Sequence, residues 1–183
     1  PYTTLFRSKS QIELLDKIRK IKGVKKVFIG SGIRYDLILE DKKDGSRYLR
    51  DIVEHHISGQ MKIAPEHTEE NVLNAMGKSH KYLTEFKREF DKLNKETNKK
   101  QFLTYYFIAA HPGCDEIHMK KLKQFLKKEL RLNPEQIQIF TPTPSTYSTL
   151  MYYTEKEPFS KKTIFVEKRL KNKRNQKEII TNN

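Results

Sequence analysis

The stretch QFLTYYFIAA, residues 101–110, most constrains how this chain folds. Phe102, Leu103, Tyr105, Tyr106, Phe107 and Ile108 leave few polar positions on either face. A run that is apolar on both faces predicts a strand covered on both sides, as in a parallel sheet. Parallel strands need long crossover connections, usually helical, and the flanking sequence has the pattern to supply them.

Residues 11–22 carry Ile12, Leu14, Leu15, Ile18 and Ile21 at helical spacing, and Gly23 is placed to end that helix. Residues 24–29 read as a short β-branched strand, and residues 30–36 (GSGIRYD) as the loop after it. A helix is expected over 48–56, with His55 and His56 at its end, where cationic side chains suit the dipole, as a structural or surface pair ahead of a metal site. A strand over 61–64 runs into Pro65-Glu66-His67-Thr68, and Thr68 is placed to cap a helix that Gly77 stops. Helices over 83–96 and 115–130 flank the 101–110 strand, and a fourth strand over 136–140 leads into Thr141-Pro142-Thr143-Pro144. Helix and strand alternate four times, which argues for an α/β fold of parallel βα units with right-handed crossovers. Each strand ends in a polar or Gly/Pro loop, where folds of this class place ligands.

The loops and helix ends are more specific than the pattern. PEHT (65–68), VLNAMGK (72–78), FIAAHPG (107–113) and FTPTP (140–144), in this order, resemble the later part of a radical S-adenosylmethionine (SAM) barrel. SGIRYD (31–36) and MYYT (151–154) narrow the resemblance to the YgiQ-type branch, over residues 9–159. The resemblance implies parallel βα units forming half of a TIM-like partial barrel. It also implies two cofactors, SAM and a 4Fe-4S cluster held by a Cys-x3-Cys-x2-Cys loop, and a reaction that begins with reductive cleavage of SAM to a 5′-deoxyadenosyl radical.

By the same resemblance, Ser31 and Arg34 lie near the SAM ribose or carboxylate, with Arg34 able to pair a carboxylate through its fork. Glu66 accepts from the ribose hydroxyls, Lys78 sits near the carboxylate as a point charge, and His111 and Pro112 pack against the adenine. Many relatives carry an acidic residue where Tyr106 falls. Plainer readings stand beside these: Arg34 as a loop salt-bridge partner, Glu66 as an aid to the following helix cap, Lys78 as a solvated lysine, and His111 as a shaper of the Pro112-Gly113 turn.

Cys114 is the single cysteine, so no disulfide forms within the chain and the three-cysteine cluster motif is missing. Cys114 is either a thiol with a pKa lowered near a helix N-terminus or an inert buried one. The chain therefore reads as a fragment, inactive alone, whose partners are SAM, a substrate the sequence does not name, and the N-terminal half of the same protein. Residues 1–8 (PYTTLFRS) read as a translated sequencing-adapter oligonucleotide and are set aside from fold reasoning.

Lys+Arg 37 against Asp+Glu 23 gives a net charge of +14. That charge fits solvated lysine faces, and it also fits a nucleic-acid partner held by phosphate contacts. Aromatics at residues 147–153 beside the basic tail support the second reading, a basic α/β nucleic-acid-binding module. Residues 160–183 read as a disordered basic tail. No apolar run reaches the ~18 residues of a membrane span, and a reducing cytoplasm is the expected setting. The chain purified alone and supplied with iron and sulfide is expected to show no 4Fe-4S absorbance, because one thiol cannot hold three irons. Stoichiometric cluster uptake would overturn that reading of the cysteines.

Overall fold

A computed structural model describes residues 8–79, 81–132, 134 and 137–182. The protein is α/β, with β1 (Gln60–Glu66), β2 (Phe102–Ala109) and β3 (Ile137–Ile139) forming a three-stranded parallel sheet in that order. The chain divides into two compact units, Pro1–Ala64 with Lys81–Thr104, and Pro65–His80 with Tyr105–Asn183.

The first unit contains α1 (Ser8–Arg19), α2 (Tyr35–Glu40), α3 (Gly45–Asp51) and α5 (Leu83–Glu96); a single π-helical turn, Ile52–His56, extends α3. Helix α5 forms because Leu83, Phe86, Phe90 and Leu93 recur at three- and four-residue spacing and are all buried. Phe86 meets the Tyr35 ring of α2 at 5.6 Å between centroids. Burying side chains of this size stabilises by roughly 1.5–3 kcal/mol each. At the end of α5 the buried Asn94 donates to the Phe90 carbonyl (3.1 Å) and accepts from the Gln101 N–H (3.0 Å). One side chain thus ends the helix and aims the chain into β2.

The second unit holds α4 (Glu70–Ala75), α6 (Glu116–Phe125) with its π-helical extension Leu126–Leu130, α7 (Tyr147–Thr154) and α8 (Leu170–Thr181). Asp115 caps α6 by accepting from the His118 N–H at 2.9 Å, and the His118 ring reaches back to the Asp115 backbone, a reciprocal cap. Met119, Leu122, Leu126 and Leu130 then form the buried stripe. Phe107, Ile108 and Ala109 of β2 lie opposite Ile137, Gln138 and Ile139 of β3. Among the described residues no helix is long and apolar enough to cross a membrane.

Several expectations are corrected. Residues 24–29 are not a strand: His56 takes their ladder groups, its carbonyl accepting from the Ile29 N–H (3.0 Å) and its Nδ1 bonding the Val27 carbonyl (2.7 Å). His56 is thus a buried structural residue. The parallel pairing falls later, as one bridge between Ile33 and Ile63, so among the described residues the sheet has three strands and a bridge where four strands were expected. Part of the expected 30–36 loop is the start of α2. Thr68 does not cap α4; Glu69 holds that position, and the Thr68 hydroxyl is buried without a hydrogen-bond partner. The expected disordered tail contains α8, ordered because Lys173, Gln176 and Ile180 fall on one buried face. Of the segment set aside at the start, residues 1–7 lie outside the described residues, whereas Ser8 opens α1 and donates its N–H to Asp41 at 3.3 Å. Gln136 of the fourth expected strand also lies outside them.

Gly45 begins α3 against the end of α2. A Cβ there would fall onto the Ile38 carbonyl oxygen, well inside van der Waals contact. Gly45→Ala is expected to destabilise the first unit by about 1–3 kcal/mol, the usual range for forced overpacking, read as a lower urea midpoint with unchanged slope.

Candidate functional site

The carboxyl ends of β1 and β2 carry the polar groups of the second unit. Each strand end is marked by a non-glycine residue at positive φ, Glu66 at 65° and Ala110 at 58°. Left-handed backbone is unfavourable for residues with a Cβ, and it persists where surrounding structure imposes it. At Glu66 the His67 N–H donates to the Pro65 carbonyl (2.8 Å), a γ-turn that swings the carboxylate off the strand axis.

Lys78 reaches that carboxylate because of how α4 ends. Gly77 is left-handed (φ 68°), its N–H donates to Asn74, and the Lys78 N–H donates back to Leu73 at 2.9 Å. This is a Schellman closure. It brings the Lys78 ammonium to 2.8 Å from a Glu66 carboxylate oxygen, with both side chains mostly shielded. Lys78 is therefore an ion-paired lysine rather than a solvated one.

His111 follows Ala110 and is buried, as is Pro112. One imidazole nitrogen, Nδ1, lies 2.8 Å from the Pro112 carbonyl, and Nε2 lies 2.7 Å from the Ser148 hydroxyl of α7. Its ring meets Phe140 edge-on, 5.0 Å between centroids. Burial holds the His111 pKa below the usual histidine range, against an upward pull from the Pro112 carbonyl and from Glu66. The pKa of Tyr106, exposed on β2, is raised by partial desolvation and then by the same Glu66 charge. Glu66, Lys78, His111 and Pro112 are thus gathered at one end of the second unit.

A second buried set lies behind them. The Glu69 N–H donates to His67 Nδ1 (3.0 Å), so the neutral ring carries its proton on Nε2, 3.6 Å from Cys114 Sγ. Burial first, then the charges of His118 and His111, lower the His67 pKa to about 3. Burial pushes the Cys114 thiol up to about 12, so of its two expected readings the inert buried thiol holds. Gln176 of α8 contacts the same cysteine. Sequence reasoning missed Gln176 and Ser148. Gln176 has a signal, its helical spacing from Lys173 and Ile180; Ser148 has none.

Ser31 and Arg34 belong to the first unit. Ser31 is exposed at a bend before the Ile33 bridge. Arg34 precedes α2 and forks onto Asp36, Nε to Oδ1 at 2.8 Å and Nη2 to Oδ2 at 2.6 Å. The carboxylate that this fork grips is one of the chain's own, the loop salt bridge that the sequence left open.

The chain is similar to UPF0313 proteins. Such a protein of Fusobacterium nucleatum is 62% identical over 173 residues, which is 94% of this chain and 30% of that protein. Another, of Clostridium botulinum, is 44% identical over 173 residues, covering 94% of the chain and 27% of the relative. A third, of Clostridium perfringens, is 42% identical over 170 residues, with coverages of 92% and 25%. The chain thus spans about 30% or less of the length of these curated relatives. Residues 135–182 also match the family described as a domain of unknown function, DUF3362.

The depressed His67 pKa has a pH consequence. In the folded chain His67 stays neutral down to about pH 3, whereas the unfolded chain takes up the proton below about 6.5. Its contribution is therefore present above pH 6.5 and lost as pH falls. Between pH 7 and pH 4 the chain is expected to lose about 3 kcal/mol more than a His67→Asn variant, whose carboxylates titrate alike. Equal losses in urea titrations at the two pH values would show that His67 is not held neutral.

Proposed function

We propose that this chain is part of a YgiQ-type radical SAM enzyme, in which the strand ends of β1 and β2 line the SAM pocket and the sheet is part of a radical SAM barrel. The observation that carries the reading is the pair of left-handed residues, Glu66 and Ala110, at the carboxyl ends of two parallel strands. Strain of this kind collects at ligand sites, and here it presents a carboxylate, an ammonium and a buried imidazole together. Those groups fit SAM: the Glu66 carboxylate suits ribose hydroxyls, Lys78 suits the methionyl carboxylate, and His111 with Pro112 offers an apolar wall for adenine. Ser31 and Arg34 are assigned to the ribose and carboxylate side by resemblance alone.

The chain does not fit the cluster. A single buried thiol held protonated cannot serve as three thiolate ligands, so the cysteines lie in the part of the protein that this chain does not cover. When bound, SAM would supply radical chemistry, started by a reduced cluster held outside this chain. The residues of this chain would orient the nucleoside and keep water from it, in a reducing cytoplasm.

A second reading, a nucleic-acid-binding module, draws on the exposed aromatics. Tyr147 and Tyr153 of α7 are 54% and 69% exposed, near Lys156, Lys161 and Lys162 in sequence. Stacking on such rings and phosphate contacts with such lysines would bind single strands.

The test is the full-length Fusobacterium nucleatum relative carrying this chain in place of its matching residues, reconstituted with cluster and assayed for 5′-deoxyadenosine release. Glu66→Gln is expected to raise the KM for SAM about ten-fold, the loss of a hydrogen bond to a charged group, with cluster absorbance unchanged. A chimaera with an intact cluster that neither binds nor cleaves SAM sinks the reading. Single-strand binding that collapses between about 50 and 200 mM salt would then favour the second.

A further inference from the structure

We infer that Gln176 of α8 is a positioning residue that sets the His111 turn, so that the carboxyl-terminal helix is a working part of the site at the end of β2. The inference rests on the SAM reading for what His111 contacts, but the geometry is independent of it. The Gln176 side chain is 1% exposed. Its Oε1 accepts from the Ala110 N–H at 3.0 Å, and its Nε2 donates to the Cys114 carbonyl at 3.3 Å. One amide thus grips both ends of the turn that contains His111, Pro112 and Gly113.

That grip satisfies groups that the sheet cannot. Ala110 turns left-handed just past β2, and the Phe140 N–H beyond β3 bonds the carbonyl of Ala109, not Ala110. Without the Gln176 oxygen the buried Ala110 N–H would lose its oxygen acceptor. Inside the turn the Cys114 N–H donates to the His111 carbonyl at 2.8 Å. The Gly113 N–H donates to the Phe165 carbonyl at 2.7 Å. The rim is therefore fixed from the segment that precedes α8 as well. A Cβ on Gly113 would lie 3.2 Å from Ile164, so that segment packs closely over the turn.

Both ends of this buried amide are satisfied on one five-residue turn, Ala110 to Cys114. An apolar side chain would fill the same space at lower desolvation cost. The amide mimics a peptide group and specifies where the chain leaves β2, and hence where the His111 ring meets Ser148 and Phe140.

Three variants test this. Gln176→Met keeps the length and loses both bonds; Gln176→Glu keeps the acceptor for Ala110; Ile180→Ala weakens the packing of α8 away from the turn. In this chain, imidazole NMR signals of His111 are expected to shift for Met, to shift less for Glu, and to stay in place for Ile180→Ala. In the chimaera, Gln176→Met is expected to raise the KM for SAM about ten-fold at unchanged kcat, as for one lost positioning bond. Unmoved His111 signals in Gln176→Met overturn the inference, as does an equal KM rise in Ile180→Ala. If the unsubstituted chimaera fails to turn over SAM, the SAM reading falls, and the NMR comparison alone decides the role of Gln176.

Discussion

Two strands of a parallel sheet end here on side-chain-bearing residues held at positive φ, and the polar groups of the second unit take their places from that constraint. Neither Glu66 nor Ala110 would adopt this backbone alone. At Glu66 the γ-turn closed by His67 and the Schellman closure that delivers Lys78 hold it in place. At Ala110 the restraint is the Gln176 amide. A single turn of backbone at each strand end, rather than a large cavity, decides which side chains meet.

Electrostatics at this end is governed by burial more than by charge pairing. His67 and His111 are both pushed toward the neutral form, and Cys114 toward the thiol, with burial the first cause in all three. Even the Glu66 carboxylate does not reverse this for His111. The Glu66–Lys78 pair keeps some solvent exposure, 22% and 13% for the two side chains. Mostly shielded, the two charges each need a partner, so a ligand that drew either away would have to replace the contact it broke.

Elements with strong periodicity were legible in the sequence. Helix α5 occupies the expected residues because its apolar stripe needs no partner to be recognised, and β2 lies within the apolar run at residues 101–110. Residues 24–29 have strand composition yet form no ladder, because a strand exists only when another edge pairs with it, and here His56 accepts from the Ile29 N–H and bonds the Val27 carbonyl instead. Helix α8 was missed because its buried face includes a lysine and a glutamine, Lys173 and Gln176, which hydropathy counts as solvent-facing. Lys173 is buried against the Tyr152 ring and donates to its hydroxyl, contacts that no local pattern records.

The sequence by itself determined three of the four expected strands and the helices beside them, the lack of a cysteine set, and the strand ends at which Glu66, His111 and Pro112 sit. These follow from spacing and residue type, which are local properties of the chain. Only the tertiary structure decided that Lys78 folds back on Glu66, that Arg34 grips Asp36, and that Gln176 spans the His111 turn. Those outcomes depend on which donor meets which acceptor once the backbone is placed, over two residues for Arg34 and Asp36 and over 66 for Gln176 and Ala110, and at the buried Gln176 an unmatched group would be costly.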